Sequence, residues 1–182
     1  MKVIGISGLP GSGKNLISTK ASEKGFIVVN MGDCVREESL KRNEDSRVTA
    51  VKLREEYGKY VVANLTIQKI KELTRNIDDL SNKVIIVEGI RSPYEVNLFK
   101  SHFDDFKILS VFSSPQIRFE RLKLRKRNDD SVDYKIFEKR DNDELDFGIG
   151  TVIATSDFLI INESSIESYE NKIDNFLNKI II

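Results

Sequence analysis

The chain has 182 residues, a length that suits one α/β domain with a sizeable core and small inserted segments. Its 29 basic and 29 acidic side chains balance, which argues against a protein built to bind nucleic acid. No apolar run approaches the ~20 residues that span a bilayer, and the single cysteine, Cys34, excludes an internal disulfide. We therefore predict a globular cytoplasmic protein without a membrane segment, whose oligomeric state the sequence leaves open.

The predicted elements alternate between strands and helices along the chain. A short apolar strand over residues 3–6 leads into a glycine-rich loop and then a helix over 14–24. Further strands are predicted at 25–30, 83–89, 107–114 and 157–161, and further helices at 32–42, 46–58, 59–75, 93–102, 115–125, 134–145 and 165–180. This alternation predicts a parallel sheet of about five strands with helices on both faces. Right-handed crossovers put the first strand at the centre, with the glycine loop at its carboxyl end.

The glycine loop carries the most specific motif of the sequence. The stretch GLPGSGK, from Gly8 to Lys14, fits the phosphate-binding pattern G-x-x-x-x-G-K between a predicted strand and a predicted helix. Backbone N–H groups of such a loop converge on a phosphate, and the following helix adds its positive end. Gly8, Gly11 and Gly13 allow close approach of the backbone, and Lys14 supplies a cation for the outer phosphates. We therefore predict that residues 8–14, Ser12 included, bind a nucleotide.

Asn15 departs from this pattern, which continues with Ser or Thr whose hydroxyl holds Mg²⁺. Mg²⁺ demands near-octahedral geometry and usually keeps several of its waters. Three interpretations are open: Asn15 binds the metal directly, Asn15 holds a metal-bound water, or the metal is held elsewhere.

The loop resembles the adenylate-kinase form of the motif, G-x-P-G-x-G-K. In that family the residue after the lysine is commonly glycine, and the metal is held largely through water. The stretches VVNMGDCVREE, EGIRS and GIGTVIATSD are similar to an archaeal group of adenylate-kinase-related, dephospho-coenzyme-A-kinase-like proteins. The resemblance implies a three-layer α/β/α P-loop NTPase of the nucleoside-monophosphate-kinase type over residues 1–182. It also implies ATP and Mg²⁺ as cofactors, with Asn15 contacting the metal mostly through water.

The segment NMGDCVREE resembles the monophosphate-binding segment T-G-D-x-x-R of adenylate kinases, with Met31 where threonine is usual. Gly32, Asp33 and Arg36 match, and residues 32–75 would form an acceptor-binding helical insertion. The resemblance implies that Arg36 binds the acceptor phosphate and that Asp33 holds metal-bound water. The residues alone also fit a capped helix with a solvated arginine.

The stretch VIIVEGIRS resembles the family's strand-end motif D-G-x-P-R. Glu88 replaces the aspartate, and Arg91 arrives one residue early. A carboxylate at a strand end beside a phosphate loop is the usual partner of Mg²⁺ and its waters. The resemblance implies a catalytic and metal-holding role for Glu88 and acceptor binding by Arg91, whereas a turn residue is the alternative for Glu88.

The segment RFERLKLRKR resembles the R-x-x-x-R element of the family's mobile lid through Arg121 and Arg125. Arg118 falls within the same arc of roughly 60° on a helix, so the sequence predicts three clustered guanidiniums that suit phosphate clamping and adenine stacking. A solvated basic face is the alternative. KRDNDE resembles the R-x-D-D element after the lid and offers Arg140. The implied short lid covers about 121–140.

The last predicted strand ends at a position where family members often bind the adenine edge through the backbone, and Asn162 stands there. A strand-end asparagine in a turn is the alternative. Together the matches predict a kinase that moves the ATP γ-phosphate to a small phosphorylated acceptor, with a nucleoside monophosphate favoured. The alternatives are dephospho-coenzyme A as acceptor, or a switch that hydrolyses ATP slowly and acts through a partner. The residues predicted as catalytic are Lys14, Glu88, Arg125 and Arg140.

Overall fold

A computed structural model describes residues 1–125 and 132–181. Its centre is a five-stranded sheet in the order β2-β3-β1-β4-β5, in which every neighbouring pair is parallel. Strand β3 has the sequence VIIVEGI and is buried along almost its whole length, as expected for a strand covered on both faces. The strands are β1 (Lys2–Ser7), β2 (Ile27–Asn30), β3 (Val84–Ile90), β4 (Asp105–Phe112) and β5 (Phe158–Ile161).

The helices connect these strands and cover both faces of the sheet. Asn30 caps the N-terminus of the helix Met31–Arg42, where its side chain accepts a hydrogen bond from the backbone N–H of Gly32 at 2.8 Å. Ser92 and Glu95 begin another through a reciprocal capping box. The helices are α1 (Lys14–Glu23), α2 (Met31–Arg42), α3 (Ser46–Tyr57), α4 (Val61–Thr74), α5 (Pro93–His102), α6 (Pro115–Arg125), α7 (Tyr134–Asp146), α8 (Ile149–Ala154) and α9 (Ile166–Ile181).

Two apolar clusters fill the space between the sheet and its two helical layers. The first joins Val3 and Ile85 of the sheet to α2, α4, α5 and α8 and includes Cys34. The second joins Ile4 and Ile86 to α1 and α9. Successive residues of β1 therefore face opposite layers, which is the consequence of the two-residue period of a strand.

The structure confirms the predicted fold. The sheet is parallel and five-stranded, β1 lies at its centre, and helices cover both sides. Helix α8 was not predicted, because its six residues are too few to show a helical period. Helices α2 to α4 fill the segment from β2 to β3, where 32–75 was predicted as an acceptor-binding insertion; that role stays a prediction. Part of the predicted lid, residues 126–131, lies outside the described residues.

No helix within the described ranges has the length and apolar character that crossing a membrane requires.

Candidate nucleotide and acceptor site

The glycine loop leaves the carboxyl end of the central strand β1 and runs directly into α1. Its glycines at positions 11 and 13 have φ of 82° and 98°, a region that side chains other than glycine rarely adopt. A Cβ at Gly11 would lie 2.8 Å from the carbonyl oxygen of Arg118, and one at Gly13 would collide with the side-chain amide of Asn162. The loop therefore needs glycine for its backbone conformation and for its close approach to the neighbouring elements.

Three side chains from later elements hold the carbonyl groups of this loop. Arg118 Nη1 of α6 donates to the Pro10 carbonyl at 3.2 Å. Asn162 Nδ2, just after β5, donates to the Ser12 carbonyl at 2.9 Å, and the Tyr169 hydroxyl of α9 donates to the Gly13 carbonyl at 3.0 Å. Side chains from other elements thus help to fix the shape of the loop.

Two clefts flank the loop. The larger has a volume of about 430 Å³ and lies between α1, α6 and α9, and the smaller has about 180 Å³ and lies towards β3, α2 and α7. Lys14, Asn15 and Arg125 line both of them. The two clefts therefore meet at the lysine that ends the phosphate-binding motif.

The larger cleft, here called the donor cleft, has a largely apolar wall. Leu16, Leu122 and Ile166 line it together with the ring of Tyr169 and the side chain of Arg121. Apolar and guanidinium surfaces of this kind suit the flat face of a base. Gly11, Gly13, Asn162 and Ser164 complete the lining.

The smaller cleft, here called the acceptor cleft, has many charged side chains in its lining. Five cationic side chains line it against the two carboxylates of Glu88 and Glu144, an excess that favours phosphate groups. The cations are Lys14, Arg36, Arg91, Arg125 and Arg140. The structure thus brings together residues from α1, α2, α6 and α7 and the end of β3 that the sequence predicted separately.

The environment of Lys14 is partly desolvated. Burial lowers the pKa of the Lys14 ammonium to about 8, although the nearby Glu88 carboxylate acts in the opposite direction. A bound phosphate would replace the lost hydration and favour the charged form. Lys14 is therefore in an environment that an anionic ligand would stabilise.

Glu88 and Asn15 are the oxygen donors that fit a magnesium ion here. Both line the acceptor cleft beside Lys14, and carboxylate and amide oxygens are ligands of Mg²⁺. Glu88 is buried and accepts a hydrogen bond from Ser18 Oγ at 2.5 Å. Among residues 1–125 and 132–181, no three His, Cys, Asp or Glu side chains cluster in a way that could hold a metal. The donor set fits an ion that keeps water and takes further ligands from phosphates.

The predicted acceptor-binding side chains are held by carboxylates. Arg36 forms an ion pair with Asp33 at the exposed rim of α2. Arg91 Nη1 lies 3.1 Å from Glu144 Oε1. Asp33 does not line the cleft that holds Glu88, so its metal-holding role stays a prediction without support from the arrangement. Acceptor binding by Arg36 and Arg91 also stays a prediction.

The predicted cluster of three guanidiniums is wrong for Arg118. Its side chain is 2% exposed and forms a two-pronged ion pair with Asp141 of α7, in addition to its bond to the loop. Its Nε donates to the Ser113 carbonyl at 3.0 Å. Arg118 is therefore part of the interior, whereas Arg121 and Arg125 line the clefts.

Asn162 is placed differently from what its predicted role requires. Its backbone N–H donates to the Phe112 carbonyl at 2.8 Å, and its carbonyl accepts from Ser113 Oγ at 2.6 Å and Arg121 Nη2 at 3.0 Å. The backbone groups expected to bind an adenine edge are thus engaged within the protein. Asn162 still lines the donor cleft, and nucleotide binding by this residue stays a prediction.

Three further residues of this region, Ser18, Glu144 and Tyr169, were not predicted from the sequence. Ser18 lies four residues after Lys14, so helical spacing could have placed it on the face of α1 that Lys14 occupies. Tyr169 reaches a carbonyl that precedes it by 156 residues, and no local pattern signals such a contact.

Comparisons with known proteins agree with this architecture. Residues 4–146 match the family model described as an AAA domain. A UPF0200 protein of Methanothermobacter thermautotrophicus is 48% identical over 180 residues, which cover 99% of this chain and 91% of that protein. A UPF0200 protein of Methanococcus maripaludis is 45% identical over 186 residues, which cover 100% of this chain and 98% of that protein.

A similar solved structure is described as the crystal structure of TT1252 from Thermus thermophilus. Its TM-score is 0.66, and the match covers 98% of this chain and 97% of that one. The sequence identity is 16%, so the likeness concerns the fold alone. From the relatives and the family model together, the chain is a member of the UPF0200 family and is built on a P-loop kinase-like AAA domain.

Proposed function

We propose that this protein is an ATP-dependent phosphotransferase that moves the γ-phosphate to a small phosphorylated acceptor of the nucleoside monophosphate class. One observation carries the proposal: a largely apolar cleft and a cationic cleft meet at Lys14, Asn15 and Arg125. A protein that only hydrolyses ATP needs one nucleotide cleft. A second, cationic cleft beside the phosphate loop gives an acceptor its own place.

The donor nucleotide would occupy the donor cleft and the loop. Its base would lie against Leu16, Leu122 and Ile166, close to the Arg121 guanidinium. Its phosphates would then follow the glycine loop towards Lys14, whose positive charge would offset the negative charge of the outer phosphates.

The acceptor phosphate would be held by Arg36 and Arg91 in the acceptor cleft. Each guanidinium is paired with a carboxylate, Arg36 with Asp33 and Arg91 with Glu144, and a doubly charged phosphate competes well for such partners. Binding of the acceptor would therefore exchange two internal ion pairs for contacts to the ligand.

The transfer step needs charge stabilisation more than covalent chemistry. Arg125 and Arg140 line the acceptor cleft with Lys14, and their positive charges would stabilise the phosphoryl group as it moves between the two substrates. Mg²⁺, when bound, neutralises negative charge on the outer phosphates of ATP. Glu88 and Asn15 would hold its waters.

Dephospho-coenzyme A is the second candidate acceptor. It would react through a hydroxyl group, which needs a base to take its proton, whereas a phosphate acceptor does not. Glu88 and Glu144 both line the acceptor cleft and could serve as that base. The two candidates therefore differ in the chemistry that they require of the same carboxylates.

A panel of acceptors tests the proposal. The protein is incubated with Mg-ATP and each nucleoside monophosphate, or with dephospho-coenzyme A, or without acceptor, and ADP formation is measured against a Lys14→Ala preparation. Phosphorus NMR of the mixture identifies the phosphorylated product. We expect one monophosphate to raise ADP formation well above the rate without acceptor. An equal rate with every acceptor and with none would favour the hydrolytic switch instead.

A further inference from the structure

A buried hydroxyl on the nucleotide-binding helix is bonded to the carboxylate at the end of the neighbouring strand. Ser18 Oγ of α1 donates to Glu88 Oε2 at 2.5 Å, and both residues are buried. The two positions are 70 residues apart in the sequence. We propose that Ser18 is a positioning residue for the magnesium ion of the phosphotransfer reaction and acts by fixing the Glu88 side chain. This inference rests on the proposed function.

Two departures from the usual P-loop sequence are consistent with such a positioning role. Asn15 supplies no hydroxyl for the metal, and Glu88 has one more rotatable bond than the aspartate usual at that position. A longer side chain loses more rotamer freedom when it must hold metal-bound water in one place. The hydrogen bond from Ser18 engages one carboxylate oxygen, reduces that freedom in advance and leaves the second oxygen for a metal-bound water.

The position of Ser18 in α1 supports this interpretation. It lies three residues after Asn15 and four after Lys14, so it occupies the turn of α1 that follows these two cleft-lining residues. Position 15 has no hydroxyl for the metal, but Ser18 provides one in the next turn of α1. There it would act on the metal through Glu88 and not by direct contact.

A purely local role would leave Ser18 bonded to its own helix. The hydroxyls of Thr19, Thr66, Thr74 and Thr155 each donate to the carbonyl four residues earlier. The Ser18 hydroxyl donates across to β3 instead. The neighbouring Thr19 is exposed and therefore provides a matched control on the same helix.

The test measures metal binding separately from turnover. Mn²⁺ replaces Mg²⁺, and its affinity for the complex of protein and ADP is measured by electron paramagnetic resonance in the wild type, Ser18→Ala, Ser18→Thr and Thr19→Ala. ADP affinity in EDTA is measured in parallel. We expect Ser18→Ala to weaken Mn²⁺ binding by about tenfold, since it removes a hydrogen bond to a charged group. ADP affinity in EDTA should stay unchanged, Thr19→Ala should match the wild type, and Ser18→Thr should retain most of the affinity.

A double mutant shows whether Ser18 acts through Glu88. In a Glu88→Gln background, Ser18→Ala should add little further loss of Mn²⁺ affinity. The inference would be overturned if the losses of Mn²⁺ affinity caused by Ser18→Ala and by Glu88→Gln simply added in the double mutant. Wild-type Mn²⁺ affinity in Ser18→Ala would overturn it as well. Either result would leave the proposed function standing. A wild-type protein that binds no nucleotide in either buffer would overturn the proposed function first. Should Ser18→Ala fail to fold, Ser18→Cys keeps a similar size with a weak donor, and the same loss is expected.

Discussion

Arg118 of α6 and Asp141 of α7 form an ion pair inside the protein, with Arg118 Nη1 at 2.7 Å from Asp141 Oδ1. The arginine side chain is 2% exposed and that of the aspartate 12%. The same guanidinium donates to the Pro10 carbonyl of the phosphate loop. The pair thus joins the two helices that carry the ends of the predicted lid to the phosphate loop.

We expect Asp141→Ala to destabilise the protein strongly, because it leaves the Arg118 charge buried without its partner. Loss of one partner of a buried pair typically lowers the free energy of unfolding by about 3–5 kcal/mol. Urea unfolding measures the change. Glu120→Ala is the control, since its ion pair with Lys123 is exposed to solvent and contributes little. Equal losses in the two variants would show that the Arg118 charge is not truly buried.

Tyr169→Phe isolates the contribution of one hydroxyl to the phosphate loop. The ring stays in the wall of the donor cleft, and only the hydrogen bond to the Gly13 carbonyl is lost. A neutral hydrogen bond contributes about 0.5–1.5 kcal/mol, so ATP affinity should fall by roughly two- to tenfold. Isothermal titration calorimetry with ATP checks this, with the exposed Tyr57→Phe as control. Unchanged affinity would mean that the loop is rigid without this bond.

ATP binding should depend on pH through Lys14. The pKa of this ammonium in the nucleotide-free protein is lowered to about 8 by burial, so the group is charged below pH 8 and neutral above it. The phosphates bind the charged form, and ATP affinity should therefore fall by up to about tenfold per pH unit above 8. ATP titrations from pH 7 to pH 10 measure the slope.

The Lys14→Ala variant should have no turnover and should bind ATP weakly, with an affinity that does not fall above pH 8. Its circular dichroism spectrum should stay that of the wild type. Lys20→Ala, on another face of the same helix and paired with Asp174, should keep the pH dependence of ATP affinity. Near-normal turnover in a folded Lys14→Ala variant would show that the loop is not the catalytic site.

Arg36→Ala should impair use of the acceptor more than binding of ATP. The residue lines the acceptor cleft and does not line the donor cleft. The KM of the acceptor should rise by about tenfold or more, the effect of losing a charge-assisted hydrogen bond, with the KM of ATP unchanged. Arg42→Ala, at the end of the same helix, is the matched control. A change confined to ATP would assign Arg36 to the wrong cleft.

Glu88→Gln and Asn15→Thr separate the two oxygen donors of the predicted metal site. Removing the carboxylate charge should lower turnover by about tenfold or more, and changing the neutral Asn15 should alter it by less than about tenfold. Both are measured across a Mg²⁺ titration. A large gain in Asn15→Thr would instead show that the natural loop holds its metal poorly, and the hydrolytic switch would then be the favoured function.

The fold and the phosphate loop were predictable from the sequence because their signals are local. The run VIIVEGI predicts a buried strand and the motif GLPGSGK predicts a phosphate-binding loop, each from a few consecutive residues. The direction of Arg118 was not predictable in the same way. Helical spacing shows which residues share a face with Arg118. It does not show that the ion pair with Asp141, a residue of another helix, holds this side chain in the interior. The hydrogen bonds of the Asn162 backbone to β4 and α6 were not predictable either, since no strand-end pattern indicates them; nucleotide binding by Asn162 stays a prediction.

The bond between Tyr169 and Gly13 also concerns the order in which the protein is made. Tyr169 is the 156th residue that a ribosome adds after Gly13, so the growing chain carries the glycine motif long before α9 can hold it in shape. Contacts of such long sequence separation form late in folding, because a large loop of chain must close first. The nascent protein therefore lacks this one of the three side-chain bonds to its phosphate loop until its sheet and final helix have assembled.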